Sequence, residues 1–294
     1  MTADATLQRD EVSGDSGGGH RSHPRHVRIQ PTRGWVSLRL GDLWEYRELL
    51  FFLAWRDVKV RYKQTALGAV WAVLQPLALM AVFALILGHF LKVPSDGVPY
   101  PVFAYTALLP WTFFAQSLGA ASTSLVTNAN LVSKVYFPRL VLPISATLGF
   151  LIDLGIGLVL LVGMMALYSV QPTWAVVLLP ALIVLALLTV LAAAVWLSAI
   201  SARYRDVIYG MPLLIQLWLF ASPIAYSSSV VPGAWKWLYA VNPMVGVIDG
   251  FRWALLGTSA PGPEIIVSVA VTIIGLLTGM AYFRRTERTF ADVI

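Results

Sequence analysis

Cysteine is absent from the 294 residues, which excludes a disulfide framework, a thiol nucleophile and a cysteine-ligated metal. Charge is scarce as well: 12% of residues are charged, about half the share usual in soluble domains. No Gly-Lys pair occurs, so there is no G-x-x-x-x-G-K-[ST] loop to cradle a nucleotide phosphate, and the chain has no ATPase site of its own. Histidine numbers four, and His20, His23 and His26 sit in the N-terminal stretch with Pro24 among them. Without a close carboxylate or an established ligand spacing they read as part of a basic solvated tail, and no metal site is assigned.

What the chain has in abundance is apolar surface. Hydrophobic residues make up 58% of it, and the mean hydropathy is +0.73. This is the composition of a polytopic membrane protein, whose hydrophobic surface faces lipid. The first 40 residues are an exception: Ser13-Gly-Asp-Ser-Gly-Gly-Gly19 cannot bury apolar area, so 1–40 reads as a disordered cytoplasmic tail. No long apolar run follows the start, and no secretory signal is read there.

Residues 41–69 form a second unit. Asp42 is a candidate N-cap with Glu45 completing a capping box, and Asp42, Glu45 and Glu48 recur every three residues. Leu43, Trp44, Leu49, Leu50, Phe52 and Leu53 supply an apolar side, which predicts a helix lying along the bilayer surface. The alternative is a soluble helix packed on a partner. A basic collar follows, with Arg56, Lys59, Arg61 and Lys63 within eight residues. Helical spacing sets Arg56, Lys59 and Lys63 on one face and Arg61 away from it.

A bilayer core of about 30 Å takes about 20 helical residues to cross. Six segments reach that length: 70–91, 101–123, 141–168, 174–199, 207–226 and 264–283. With the N-terminus inside, 18 of the 21 Lys and Arg fall on the cytoplasmic side, leaving Lys92, Lys236 and Arg252 outside. The positive-inside rule therefore puts both termini in the cytoplasm, and the +6 net charge reports topology rather than a nucleic-acid partner. The outer connection 227–263 is too apolar for a loose loop and too broken to span. It reads as two short helices at the outer face or dipping back into it, a candidate gate. The expected fold is thus an all-α polytopic membrane protein. It has six transmembrane helices over 70–285, an interfacial helix before them, two short gate helices between spans five and six, and a cytoplasmic end at 286–294.

Four stretches carry a resemblance. Arg56-Asp-Val-Lys-Val-Arg-Tyr-Lys-Gln-Thr-Ala-Leu-Gly68, with Trp71 and Leu74-Gln-Pro76, is the first. Lys134-Val-Tyr-Phe-Pro-Arg139 with Leu142-Pro143, Arg203-Tyr-Arg-Asp206, and Tyr239-Ala-Val-Asn-Pro-Met244 with Gly250-Phe-Arg-Trp253 follow in order. Together they resemble the membrane-spanning subunit of type 2 ABC exporters for lipid-linked polysaccharides, the O-antigen, teichoic acid and capsule exporters, over about 43–285. The resemblance implies a homodimeric channel in the bacterial inner membrane, bound to two copies of a separate ATPase that holds the ATP and Mg. Its cargo would be a polyprenyl-diphosphate-linked glycan.

Each motif also has a plainer reading. The collar cations could do no more than anchor the chain to anionic lipid, at about 1 kcal/mol per cation near the surface. As a functional site, Arg56, Lys59, Arg61 and Lys63 would receive the lipid diphosphate, which guanidinium and ammonium groups suit. Within the loop 125–140, the resemblance makes Asn128, Lys134, Val135, Tyr136, Phe137, Pro138 and Arg139 an ATPase-coupling element. Exposed Val135, Tyr136 and Phe137 would fill a partner groove, whereas the plainer reading is an interfacial turn stopped by Pro138.

Asp153 lies near the middle of the third expected span, where an unpaired carboxylate costs about 2.5–3.5 kcal/mol. It is expected to face the bundle or dimer seam in a structural hydrogen bond. Candidate channel or gate aromatics are Tyr105, Trp111, Phe114, Trp218, Tyr226, Trp235, Trp237, Phe251 and Trp253. Flat amphipathic rings suit sugar faces, though interfacial belts account for most membrane aromatics. Two other functions stay open: an ABC exporter of drugs or small lipids, and a membrane enzyme on polyprenyl substrates. The enzyme would want clustered acids or histidines on one face, and Asp57, Asp206 and Asp249 lie in separate segments. A proton-driven transporter would need more intramembrane acids than Asp153 supplies.

Overall fold

The computed structural model of the chain describes residues 44–63, 68–287 and 289–290. The expected tail 1–40 with its three histidines, the Asp42 cap, residues 64–67, Arg288 and residues 291–294 lie outside the described residues. Most of those described are helical, with no strand among them, as an all-α membrane protein requires.

Helix α1, Arg47–Lys63, is a single rod that includes the whole collar. Glu48 in its first turn and Arg61 and Lys63 in its last complement the helix dipole. Leu53 and Val58 are its buried residues. The first span is α2, Gly68–Phe83, continuing into a wider π-helical turn over Ala84–Phe90, with Pro76 inside α2.

The second is α3, Tyr100–Thr127, 28 residues or about 42 Å of helix. It packs on α2 and on three helices that follow it: α5, Val141–Leu148; α6, Leu151–Leu167; and α7, Leu179–Arg203. Its hydroxyls turn inward to its own carbonyls, as Thr106 Oγ1 does to Val102 (2.8 Å) and Ser124 Oγ to Ala121 (2.7 Å). A central helix with small and hydroxyl-bearing residues gains close approach to its neighbours and does not need the hydropathy of a lipid-facing one.

By length and apolarity, Val73–Phe90, Val141–Leu167, Trp174–Arg203 and Ile265–Glu287 can cross a membrane among the described residues. The two other expected spans are present in altered form. One is the central, less apolar α3. The other is α8, Asp206–Phe220, whose 15 residues rise about 22 Å, short of a full bilayer core.

The third span is broken between α5 and α6 at Gly149 and Phe150. Ser145 and Thr147 bond back to the carbonyls of Leu142 and Pro143 (3.0 and 2.8 Å), a habit that bends helices, and glycine follows them. The short α4, Ala129–Lys134, connects α3 toward α5, and a 3₁₀ turn at Trp174–Leu178 leads into α7.

The outer connection holds the two expected helices, α9, Gly233–Tyr239, and α10, Pro243–Leu256, ahead of the last span α11, Ile265–Glu287. They differ sharply. Every residue named as buried in this pair belongs to α10, which packs on α3, α7 and α11 and buries Val247, Ile248, Phe251 and Ala254. Gly250 permits the approach to α7, because a Cβ there would sit 2.6 Å from Leu182 Cδ2. Gly257, at φ +69°, ends α10 in the left-handed conformation that glycine adopts without strain.

Candidate functional site

The collar cations divide into two that are held and two that are exposed. Arg56 donates through Nη2 to Asp57 (2.8 Å) and to Asn128 Oδ1 (3.1 Å), the residue that opens α4. Arg61 pairs through Nη1 with Asp153 Oδ2 at 2.6 Å, and its guanidinium lies 3.5 Å from the centre of the Phe150 ring. Tyr62 donates its hydroxyl to the other Asp153 oxygen. Burial, then the Asp153 hydrogen bond, push the Tyr62 phenol well above its ordinary range, so it keeps the proton it donates. Lys59 and Lys63 are exposed, with Lys59 Nζ 5.7 Å from the Trp55 ring.

Asp153 accordingly has a structural partner. The break at Gly149 and Phe150 sets it in the first turn of α6, near the middle of the segment Val141–Leu167 and within reach of the end of α1. Of the two directions expected for it, bundle or dimer seam, the carboxylate turns to a partner within the chain and clasps the collar helix.

The coupling loop corrects an expectation. Val135 and Tyr136 are exposed, Tyr136 to 89%, but Phe137 is only 5% exposed and packs with Leu53, Leu125, Leu140 and Phe283. Phe137 is the anchor and Tyr136 the presented ring. Lys134 is exposed at the end of α4, and Pro138 accepts a bond from the Val141 amide (3.0 Å). Arg139 is tied to the end of α11: its amide donates to Glu287 Oε1 (2.9 Å) and its guanidinium to the Glu287 carbonyl. The loop is thereby joined to α1 at Asn128 and to α11 at Arg139.

Of the aromatics, Tyr105, Trp111, Phe114 and Phe251 are buried in the main core and contact other helices rather than an opening of the single chain. Trp218 and Tyr226 are half-buried. Trp218 Nε1 donates to Asn242 Oδ1 (2.9 Å), and the Tyr226 hydroxyl meets that of Tyr239 (2.9 Å). Trp253 stands edge-on to Trp174 at 5.9 Å, while Trp235 and Trp237 are exposed on α9.

The outer motif residues act as fasteners. Asn242 caps α10 by accepting from the Met244 amide (3.1 Å). Its amide also donates to the Ala221 carbonyl (3.0 Å) and Ser222 Oγ (2.9 Å), holding the start of α10 to the end of α8. Arg252 is 2% exposed and donates to the carbonyls of Ile224 (2.9 Å) and Tyr226 (3.2 Å), with its guanidinium 3.6 Å from the Phe103 ring centre. The neighbouring Asp249 carboxyl is pushed up to about 6 by burial, against Ser228 and Arg252, with Asp96 and Glu264 adding to the shift.

Sequence reasoning missed Tyr62, Glu287 and a set of glutamines. Gln75 on α2 is exposed and accepts from Gln116 Nε2 on α3 (3.3 Å), and Gln216 is exposed on α8, which also packs on α3. An exposed amide within an apolar span is costly against lipid and suits a watery or protein-lined surface. Their signal was available as lone amides inside hydrophobic runs.

Residues 48–256 match the ABC-2 type transporter family. Along 257 residues the chain is 32% identical to the O-antigen export system permease protein RfbA of Myxococcus xanthus, covering 86% of this chain and 98% of that protein. It is 26% identical over 263 residues to the RfbA permease of Klebsiella pneumoniae, covering 88% and 98%. It is 24% identical over 239 residues to the polysialic acid transport protein KpsM of Escherichia coli, covering 79% and 91%.

Proposed function

This chain belongs to the ABC-2 type transporter family, and from that membership we propose that it is the membrane-spanning subunit of an ATP-driven exporter of a polyprenyl-diphosphate-linked polysaccharide. The observation that carries the cargo class is the likeness to O-antigen permeases along 98% of their length, which spans the collar, the loop and the outer helices together. In this reading two copies of the chain form the channel in the cytoplasmic membrane, with both termini on the cytoplasmic side. Two copies of a cytoplasmic ATPase subunit hold the ATP and Mg.

The geometry supports a division of labour. Lys59 and Lys63 present two mobile ammonium groups to the lipid diphosphate, where Coulomb attraction needs no fixed fork. Arg56 and Arg61 hold the helix that carries them. Motion of the ATPase reaches Tyr136 and the α4 loop first. From there it passes through the Arg56–Asn128 bond to the collar and through Arg139–Glu287 to the last span. The exposed glutamines of α2 and α8 and the half-buried aromatics give the passage between copies a surface that wets and contacts sugar without binding it tightly.

Deleting the chain should leave lipid-linked glycan on the cytoplasmic side, read by protease-free surface labelling of the glycan. Reversing Lys59 and Lys63 to Glu should block export while the complex with the ATPase still assembles. Normal surface glycan in the deletion strain would sink the export reading. Unchanged flux in the double reversal would reduce the collar to a topology signal.

A further inference from the structure

The last span ends in a turn that folds back on the bundle. The amide and the hydroxyl of Thr289 both donate to the Thr286 carbonyl (3.0 and 2.8 Å), and Phe290 follows them into the protein. Phe290 is 1% exposed and stands edge-on to Phe283 of α11, with the ring centres 5.2 Å apart. Both rings belong to a core separate from the main one. It is shared with Leu53 of α1, Leu125 of α3, Phe137 of the coupling loop, and Ala199 and Ala202 of α7. The end of α11 is itself firmly held. Trp196 of α7 stacks on Tyr282 at 4.8 Å and donates Nε1 to the Gly275 carbonyl (3.1 Å). Gly279 permits that approach, since a Cβ there would lie 2.7 Å from Trp196 Cδ1.

Arg139 of the loop meets this end at three points. Its amide donates to Glu287 Oε1 and its guanidinium to the Glu287 carbonyl, and the guanidinium carbon lies 6.0 Å from the Phe290 ring centre. That separation is within reach of cation–π attraction. Upstream, α4 gives way at Val135 to extended backbone (φ −125°, ψ +135°), so exposed Tyr136 lies between the helix end and the Phe137 to Arg139 anchor. Burial of Phe137 sets how deep the loop sits, but apolar burial has no direction. Packing alone would let the loop pivot about that ring. The hydrogen bonds to Glu287 are directional and fix its orientation. An element that passes movement to its neighbours needs such a hold at both ends, and the Arg56–Asn128 bond supplies the other. Glu287 and Phe290 lie beyond residues 48–256, the stretch that matches the family, and so draw no role from that match.

We propose that Glu287 and Phe290 are positioning residues of the coupling loop: they hold Arg139 so that Tyr136 keeps its orientation and movement at the loop is delivered to α11. The assignment rests on the exporter reading, in which the loop faces a cytoplasmic ATPase. Because the chain has no cysteine, one introduced thiol takes one label. The full-length chain in lipid nanodiscs carries a nitroxide at Val135→Cys, and a second preparation carries it at Trp235→Cys on α9, both read by electron paramagnetic resonance. Phe290→Ala and Glu287→Ala should each raise label mobility at position 135 and leave it unchanged at position 235. In the unlabelled complex with the ATPase, the same two variants should lower the stimulated kcat for ATP about threefold or more. The KM for ATP should stay unchanged and the ATPase should still co-purify. Glu287→Gln keeps the acceptor for the Arg139 amide and should restore most of the stimulation. Unfolding midpoints are followed in parallel, and all measurements are made well below them. Unchanged mobility at position 135, an equal rise at both labels, or wild-type stimulation in both alanine variants would overturn the positioning role. If the wild-type chain stimulates its ATPase normally and the loop label does not respond, the positioning role alone fails. If the wild-type chain stimulates no ATPase while the loop label responds, the hold on the loop stands and the exporter reading fails.

Discussion

Removing Arg61 tests how the collar is held. Its partner Asp153 is 10% exposed and Arg61 itself 30%, so the pair lies between the exposed and the buried regimes. Exposed pairs contribute about 0–1 kcal/mol, and stranding a fully buried partner costs about 3–5. Arg61→Ala also forfeits the guanidinium stacked 3.5 Å from Phe150. The expected loss is about 2 kcal/mol, since Tyr62 still donates to the stranded carboxylate and water reaches part of it. For a chain of this size that corresponds to a fall of roughly 3 °C in the unfolding midpoint. The assay is thermal unfolding in detergent across a double-mutant cycle of Arg61→Ala and Asp153→Asn. Asp153→Asn keeps the shape and removes the charge, so the double variant should be less destabilised than the sum of the two singles, with a coupling of about 1 kcal/mol or more. Additive losses would show that the clasp contributes nothing beyond packing and would refute the reasoning.

The coupling loop and the outer acid give two more tests. Phe137→Ala should destabilise the protein by about 3–5 kcal/mol through the cavity it leaves, whereas Tyr136→Ala should change stability by less than about 0.5 kcal/mol yet lower ATPase stimulation by the chain. Equal stability losses would contradict the anchor and presenter roles. Asp249, raised from 3.8 to about 6, binds its proton more tightly folded than unfolded, so wild-type stability falls as pH rises through that interval. Asp249→Asn should therefore raise the midpoint at pH 7.5 and leave it nearly unchanged at pH 4, and a gain of equal size at both values would show that its charge is not what the fold resists.

Composition was enough to name the solvent, because a chain with so few charges cannot be solubilised in water without lipid around it. Helix positions followed from the same property: an apolar run of about 20 residues has one economical conformation in a bilayer. The four motifs, each weak alone, were legible by order and spacing, and the family match over 48–256 agrees with the resemblance they carry. Side-chain partners were not legible in the same way. Helical spacing set Arg61 apart from Arg56, Lys59 and Lys63, but nothing in the chain order joined it to a carboxylate 92 residues away. Phe137 and Tyr136 look alike as adjacent aromatics, and only the packing of Leu53, Leu125 and Phe283 around one of them separates anchor from exposed ring.

The basic stretch Arg56 to Lys63 determined by itself which end of the first span stays with the cations, since Lys and Arg resist crossing wherever the fold later puts them. The sequence likewise determined that two short helices fill the outer connection. Tertiary structure decided that α10 lies inside the bundle while α9 stays outside, because close approach at Gly250 and the Asn242 cap are properties of the contact with α7 and α8, not of the segment. It also decided that the three outer acids, spread from Asp96 to Glu264, meet at one cavity. Local hydropathy is a property of each residue and survives any fold; the meeting of distant charges depends on which helices pack.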